Sequence, residues 1–156
     1  MSNYENVTIP ISIPSDDEGF VLLKCPTCGE KFMLKVDDIE DESLINIWCP
    51  NCGLPHDNYL DDDVYELAMK KAQNFAADLM NNLLDEMKKS TRSCKNIKYK
   101  RGEEVKKIDE YPIGRKVVNY SKKEYLCCNR VAKISDIKMF EGGYCPFCGE
   151  MIDGDY

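Results

Sequence analysis

The stretch CPTCGEKFMLKVDDIEDESLINIWCPNCG, residues 25–53, holds four thiols in two C-x-x-C pairs, Cys25 with Cys28 and Cys49 with Cys52, with twenty residues between the pairs. A structural zinc takes four thiolates in a tetrahedron at about 2.3 Å, and each pair can deliver two of them from one tight turn. Two pairs at this spacing are the signature of such a site. Gly29 and Gly53 follow the pairs, where a backbone folding back beside a metal takes positive φ. Pro26 and Pro50 stiffen the start of each turn. A redox C-x-x-C occurs singly beside a βαβ unit and disulfides suit secreted chains, so neither accounts for the duplication. Working outward, residues 20–23 and 31–36 read as a hairpin around the first pair, and Ile45, Ile47 and Trp48 as a third strand leading into the second. The acidic interval 37–43 reads as a solvated loop. His56, the single histidine, lies four residues past Cys52 and finds the coordination sphere already filled.

Toward the carboxyl end the pattern returns in altered form. Cys145, Pro146, Cys148 and Gly149 repeat the knuckle, but its partner is an adjacent pair, Cys127 and Cys128, with sixteen residues between Cys128 and Cys145. Neighbouring side chains in an extended strand point to opposite faces, so the backbone must turn sharply if both thiols are to reach one ion. Cys127, Cys128, Cys145 and Cys148 are taken as the second ligand set, giving two zinc ions per chain. Cys94, the ninth cysteine, is a spare thiol or a substitute ligand.

Between the two sites the hydrophobic period changes. Val64, Leu67, Ala68, Ala72, Phe75, Ala76, Leu79, Met80, Leu83, Leu84 and Met87 recur at intervals of three and four, which predicts one long amphipathic helix over 61–90. Asp61, Asp62 and Asp63 suit its positive end and Lys88, Lys89 and Arg92 its negative end. The broad apolar stripe is expected to pack within the chain, on the metal modules, with pairing to a second copy as the other reading.

Charge is distributed in blocks. Residues 1–87 carry 5 basic and 18 acidic side chains, 88–123 carry 13 and 4, and 124–156 carry 3 and 6, against a formal net charge of −7. In the basic segment Ile97 and Tyr99 suggest a short strand within a surface loop. Lys95, Lys98, Lys100, Arg101, Lys106, Lys107, Arg115 and Lys116, interleaved with tyrosines, are the residues that a nucleic-acid contact would use. The same charges equally suit neutralisation by acidic parts of the chain. The first residues lack a basic start and an apolar run, and no stretch approaches the length of a membrane span. A cytoplasmic location is expected, where nine cysteines point to metal rather than disulfides.

Residues 20–60 and, less closely, 117–152 resemble bacterial zinc-ribbon proteins of the transcription-factor-IIB type. The resemblance implies a structural zinc held under a small antiparallel sheet by Cys25, Cys28, Cys49 and Cys52, and binding to polymerases, other proteins or nucleic acid.

The expected architecture is α+β: an extended arm (1–19), a first zinc ribbon (20–60), the long helix (61–90), a basic connecting segment (91–116) and a second ribbon-like module (117–156). Four cysteines leave no open position of the kind a catalytic zinc keeps, so the chain is read as a non-enzymatic adaptor that acts on a protein partner. Nucleic-acid binding through 88–123, in transcription, is the alternative. A thiol switch in which oxidation ejects zinc is a third reading. A monomer is favoured, with a homodimer through the helix as the other arrangement.

Overall fold

The computed structural model describes residues 6–154; residues 1–5 of the expected arm lie outside them. The order is β1 (Phe20–Lys24), β2 (Lys31–Lys35), α1 (Val36–Ile39), β3 (Ile47–Trp48), β4 (Pro55–His56), α2 (Asp62–Thr91), β5 (Ser121–Tyr125), β6 (Arg130–Ile134), α3 (Asp136–Glu141), β7 (Gly143–Tyr144) and β8 (Met151–Ile152). The described residues form two compact units, one of residues 12–65 with 113–154, the other of residues 66–112 with 6–11.

The first unit contains both cysteine sets. Its four-stranded antiparallel sheet runs β1-β2-β6-β5, and two-stranded ladders β3-β4 and β7-β8 carry the later knuckle of each set. The two modules are therefore joined directly, by the β2–β6 pairing, in addition to the chain that passes through α2. β2 is central, so Phe32, Met33 and Leu34 are all buried, as befits a strand covered on both faces. With Phe20, Tyr59, Tyr125, Ala132, Ile134 and Phe147 they form the core, into which Cys25, Cys49 and Cys145 also project.

The unit is a repeat. β1-β2-α1-β3-β4 corresponds to β5-β6-α3-β7-β8, which sets Met33 against Ala132 and Leu34 against Lys133. The observed register pairs Met33 with Lys133 and Leu34 with Ala132, so exchanging the halves maps this ladder onto itself. That is the behaviour of a two-fold axis between β2 and β6.

The acidic interval departs from the expected solvated loop. Its first residues form α1, and the Arg130 guanidinium on β6 donates to Asp38 at 3.3 Å, to Asp41 at 2.7 Å and to Ser43 Oγ at 3.1 Å. The third strand is also shorter than expected: Ile45 is 89% exposed and lies outside β3.

α2 follows the expected bounds and buries Val64 and Leu67 of the expected stripe, but further along, in the second unit, it buries a different face. Asn74 and Ala77 are buried, while Phe75, Leu79, Met80, Leu83 and Met87 are between 37% and 55% exposed. The reason lies in residues 101–110, which run along the helix in the opposite sense. Asn74 accepts from the Ile108 N–H at 2.8 Å and donates to its carbonyl at 2.8 Å. Asn81 does the same with Val105, at 2.9 and 3.0 Å. Seven helical residues rise about 10.5 Å and three extended residues span about 10 Å, so the two amides meet the strap in register. Ion pairs Lys71–Glu110, Asp78–Lys107 and Asp85–Arg101 flank them. No strand forms at Ile97 and Tyr99.

Candidate metal centres

Each C-x-x-C knuckle is built by the same local hydrogen bonds. The N–H of Cys25 donates to the Glu30 carbonyl at 2.8 Å and that of Gly29 to the Cys25 carbonyl at 3.0 Å. Cys49 with Leu54 and Gly53, and Cys145 with Glu150 and Gly149, repeat the pattern at 2.8 to 3.0 Å. The fourth turn is shorter, with four residues, 126–129, between β5 and β6 where the first has six, 25–30. Asn129 takes the left-handed conformation there, at φ 53°, which asparagine tolerates better than most side chains. That reversal brings the adjacent thiols of Cys127 and Cys128 to one point.

The sulfurs of Cys25, Cys28, Cys49 and Cys52 all lie within 4.8 Å of one another, and so do those of Cys127, Cys128, Cys145 and Cys148. Four thiolates at about 2.3 Å from a tetrahedral zinc stand roughly 3.8 Å apart. The measured separations are 3.7 Å for Cys25–Cys52, 3.5 Å for Cys28–Cys49, 3.9 Å for Cys128–Cys145 and 3.6 Å for Cys127–Cys148. Both groups could hold such an ion, and the separations are far from the roughly 2 Å of a disulfide. Main-chain N–H groups of Asn51 and Cys52 point at Cys49 Sγ, at 3.4 and 3.5 Å, a charge-assisted contact that favours the thiolate.

Burial raises the thiols of Cys49 and Cys145 well above the ordinary range and that of Cys127 to about 11. At Cys28 burial acts the same way but is outweighed by hydrogen bonds from Asn51, Glu30 and the neighbouring thiols, which bring it to about 7. Four crowded thiols do not ionise together unaided, so taking up a dication must release protons.

The two centres touch through their knuckles. The Trp48 N–H donates to the Pro146 carbonyl and the Tyr144 N–H to the Pro50 carbonyl, each at 2.9 Å. A Cβ on Gly149 would lie 2.6 Å from the Trp48 ring, and one on Gly53 would lie 2.8 Å from the Tyr144 ring. Trp48 and Tyr144 correspond under the repeat, as do the prolines and the glycines. Each half thus supplies a donor and an aromatic roof to the other half's knuckle.

Cys94 is exposed, just beyond α2, with Sγ 4.0 Å from the Ser90 carbonyl, and belongs to neither group. His56 Nε2 lies 3.0 Å from Thr27 Oγ1 and its ring meets Tyr59 edge-on, beside the first group but outside it. Of the eight basic candidates, Arg101 and Lys107 pair with Asp85 and Asp78 on α2. Arg115 pairs with Asp17, and Lys116 with Asp61 and Asp63. Lys95, Lys98, Lys100 and Lys106 form no ion pair among the described residues. Among these residues no helix is long and apolar enough to cross a membrane.

The chain matches no protein-family model, no curated protein and no solved structure.

Proposed function

We propose that the chain is a non-enzymatic, zinc-stabilised binding protein that works through protein contacts, its two four-cysteine groups holding structural zinc in ribbons of the transcription-factor-IIB type. The closed donor sets support a structural metal, since every tetrahedral position is filled by a thiolate. The observation that carries the protein-binding reading is the face of α2 bearing Phe75, Leu79, Met80, Leu83 and Met87. Contiguous exposed apolar surface of this kind marks sites of association. Affinity capture of the intact chain, with nuclease treatment as a control, tests the reading. Recovered proteins should survive nuclease and be lost when Leu79 and Leu83 are both replaced by aspartate. Capture that disappears with nuclease would overturn it.

The nucleic-acid reading is favoured by one observation, the four lysines without ion-pair partners among the described residues. Half of the basic candidates are neutralised locally, and a chain of formal charge −7 is repelled at long range by phosphate. Mobility of single-stranded and duplex nucleic acid at low salt should stay unchanged at micromolar protein. A shift abolished by Lys98→Glu with Lys100→Glu would reverse the ranking.

A further inference from the structure

The two cysteine groups differ in how far their sulfurs lie from the core. In the first, Cys25 and Cys49 are buried and Cys28 alone is exposed. Both of its close sulfur pairs, Cys28 with Cys49 and Cys25 with Cys52, therefore include a core residue. In the second, Cys145 is buried, but Cys127 and Cys148 are both exposed, and their sulfurs stand 3.6 Å apart. Of the close pairs in the two groups, this one alone has solvent at both ends. Cys127 also sits in the shortened turn 126–129, where Leu126 and Asn129 are exposed as well. Cys49 Sγ, by contrast, is held by two main-chain N–H groups. Closing 3.6 Å to the roughly 2 Å of an S–S bond moves a surface turn toward a surface knuckle in the second group. The same closure in the first would displace a residue of the core.

We infer that Cys127 and Cys148 are an oxidation site at which hydrogen peroxide forms a disulfide and releases the second zinc, an assignment that rests on the zinc reading above. Accessible thiolates with a resolving cysteine beside them are the ones that peroxide oxidises. One thiolate attacks a peroxide oxygen, so that an S–O bond forms, the O–O bond breaks, and the departing hydroxide takes a proton from solvent to become water. The other thiolate attacks the resulting sulfenic sulfur, so that the S–S bond forms, the S–O bond breaks, and a second hydroxide leaves and is protonated. Two sulfurs together lose two electrons, and one peroxide becomes two waters. Cys128 and Cys145 are then the remaining donors, too few for a closed structural site. The knuckle set free is the one whose Pro146 carbonyl accepts from the Trp48 N–H and whose Gly149 lies under the Trp48 ring. Oxidation therefore acts on the join between the two halves of the repeat.

The test uses the full zinc-loaded chain carrying Cys94→Ser, since Cys94 is exposed, lies outside both groups and would consume oxidant. Native mass spectrometry counts the bound ions before equimolar hydrogen peroxide is added at neutral pH. Free zinc is then followed with a chromogenic chelator, against a sample without peroxide, while disulfides are mapped in non-reducing digests. The first disulfide to appear should join Cys127 to Cys148, with zinc released in step. Dithiothreitol with added zinc should restore the starting ion count. A first disulfide among Cys25, Cys28, Cys49 and Cys52, or one that joins Cys128 to Cys127 or to Cys145, would overturn the proposal. So would a chain that keeps both ions and stays reduced, and that result would leave the zinc reading standing. Fewer than two ions before peroxide is added would overturn the reading of two zinc centres, and the proposal with it.

Discussion

At the scale of single residues, two positions show what the turns and the helix start demand. Asn129 is the described non-glycine residue at positive φ, in the turn that lets adjacent cysteines share one centre. Asn129→Gly should be neutral or slightly stabilising, while Asn129→Val should cost about 1–2 kcal/mol, the penalty of left-handed backbone for a branched residue. Thermal melts of the zinc-loaded variants, with zinc content measured alongside, check the pair. Asp61 is 3% exposed and receives the ammonium groups of Lys31 and Lys116 just before α2. Burial alone would raise its carboxyl, but these partners lower it to about 2 from an ordinary 3.8. A carboxyl whose folded pKa is depressed adds stability that is complete above its unfolded pKa and lost as pH falls through the folded one. Asp61→Asn should therefore cost roughly 2 kcal/mol at pH 7, and the gap between variant and wild type, read from urea midpoints, should close between about pH 4 and pH 2.

At the scale of elements, the strap on α2 makes the sharpest claim. Asn74 satisfies both main-chain groups of Ile108, so Asn74→Ala leaves a donor and an acceptor without their partner, at about 1–3 kcal/mol. Amide exchange at Ile108 should accelerate at least tenfold while the core strand β2 keeps its protection; equal acceleration in β2 would mean that the strap and the sheet open together. This element also shows where sequence reading stops. The knuckles and the bounds of α2 are legible because they are local: a thiol pair with its glycine, a period of three to four, an acidic start and a basic end. The buried face is not legible, because the partner of Asn74 and Asn81 is main chain well downstream, and an extended segment held by amides carries no hydrophobic period. The stripe is visible in the sequence, but whether a stripe packs inside its own chain is decided by that distant competitor. The acidic interval is illegible for the same reason, since Arg130, far along the chain, gathers Asp38 and Asp41.

At the scale of the molecule, the two candidate metal centres meet at their knuckles. Trp48 roofs the Gly149 knuckle and Tyr144 roofs the Gly53 knuckle, so filling one centre is expected to order a surface of the other. Native mass spectrometry at limiting zinc should show chains with two ions or none, with the one-ion species well below its statistical share. Trp48→Ala with Tyr144→Ala should restore the statistical distribution; a statistical distribution in wild type would mean the knuckles load independently. The Cys127–Cys128 pair is readable as a motif, but the reciprocity is not, because it depends on β2 meeting β6.

That meeting joins Met33 to Lys133, a closure across about a hundred residues, whose entropic cost grows only logarithmically with length but which must be met before any contact rewards it. Until that closure is made, β2 and β6 are unpaired edges. Because every copy of the chain has the same sequence, the β6 of another chain presents the same edge as the chain's own. The long segment between the halves acts as a tether whose effective concentration decides which edge is met first. Exchange of the halves between two molecules would preserve every contact of the sheet, which is the geometric condition for a domain swap.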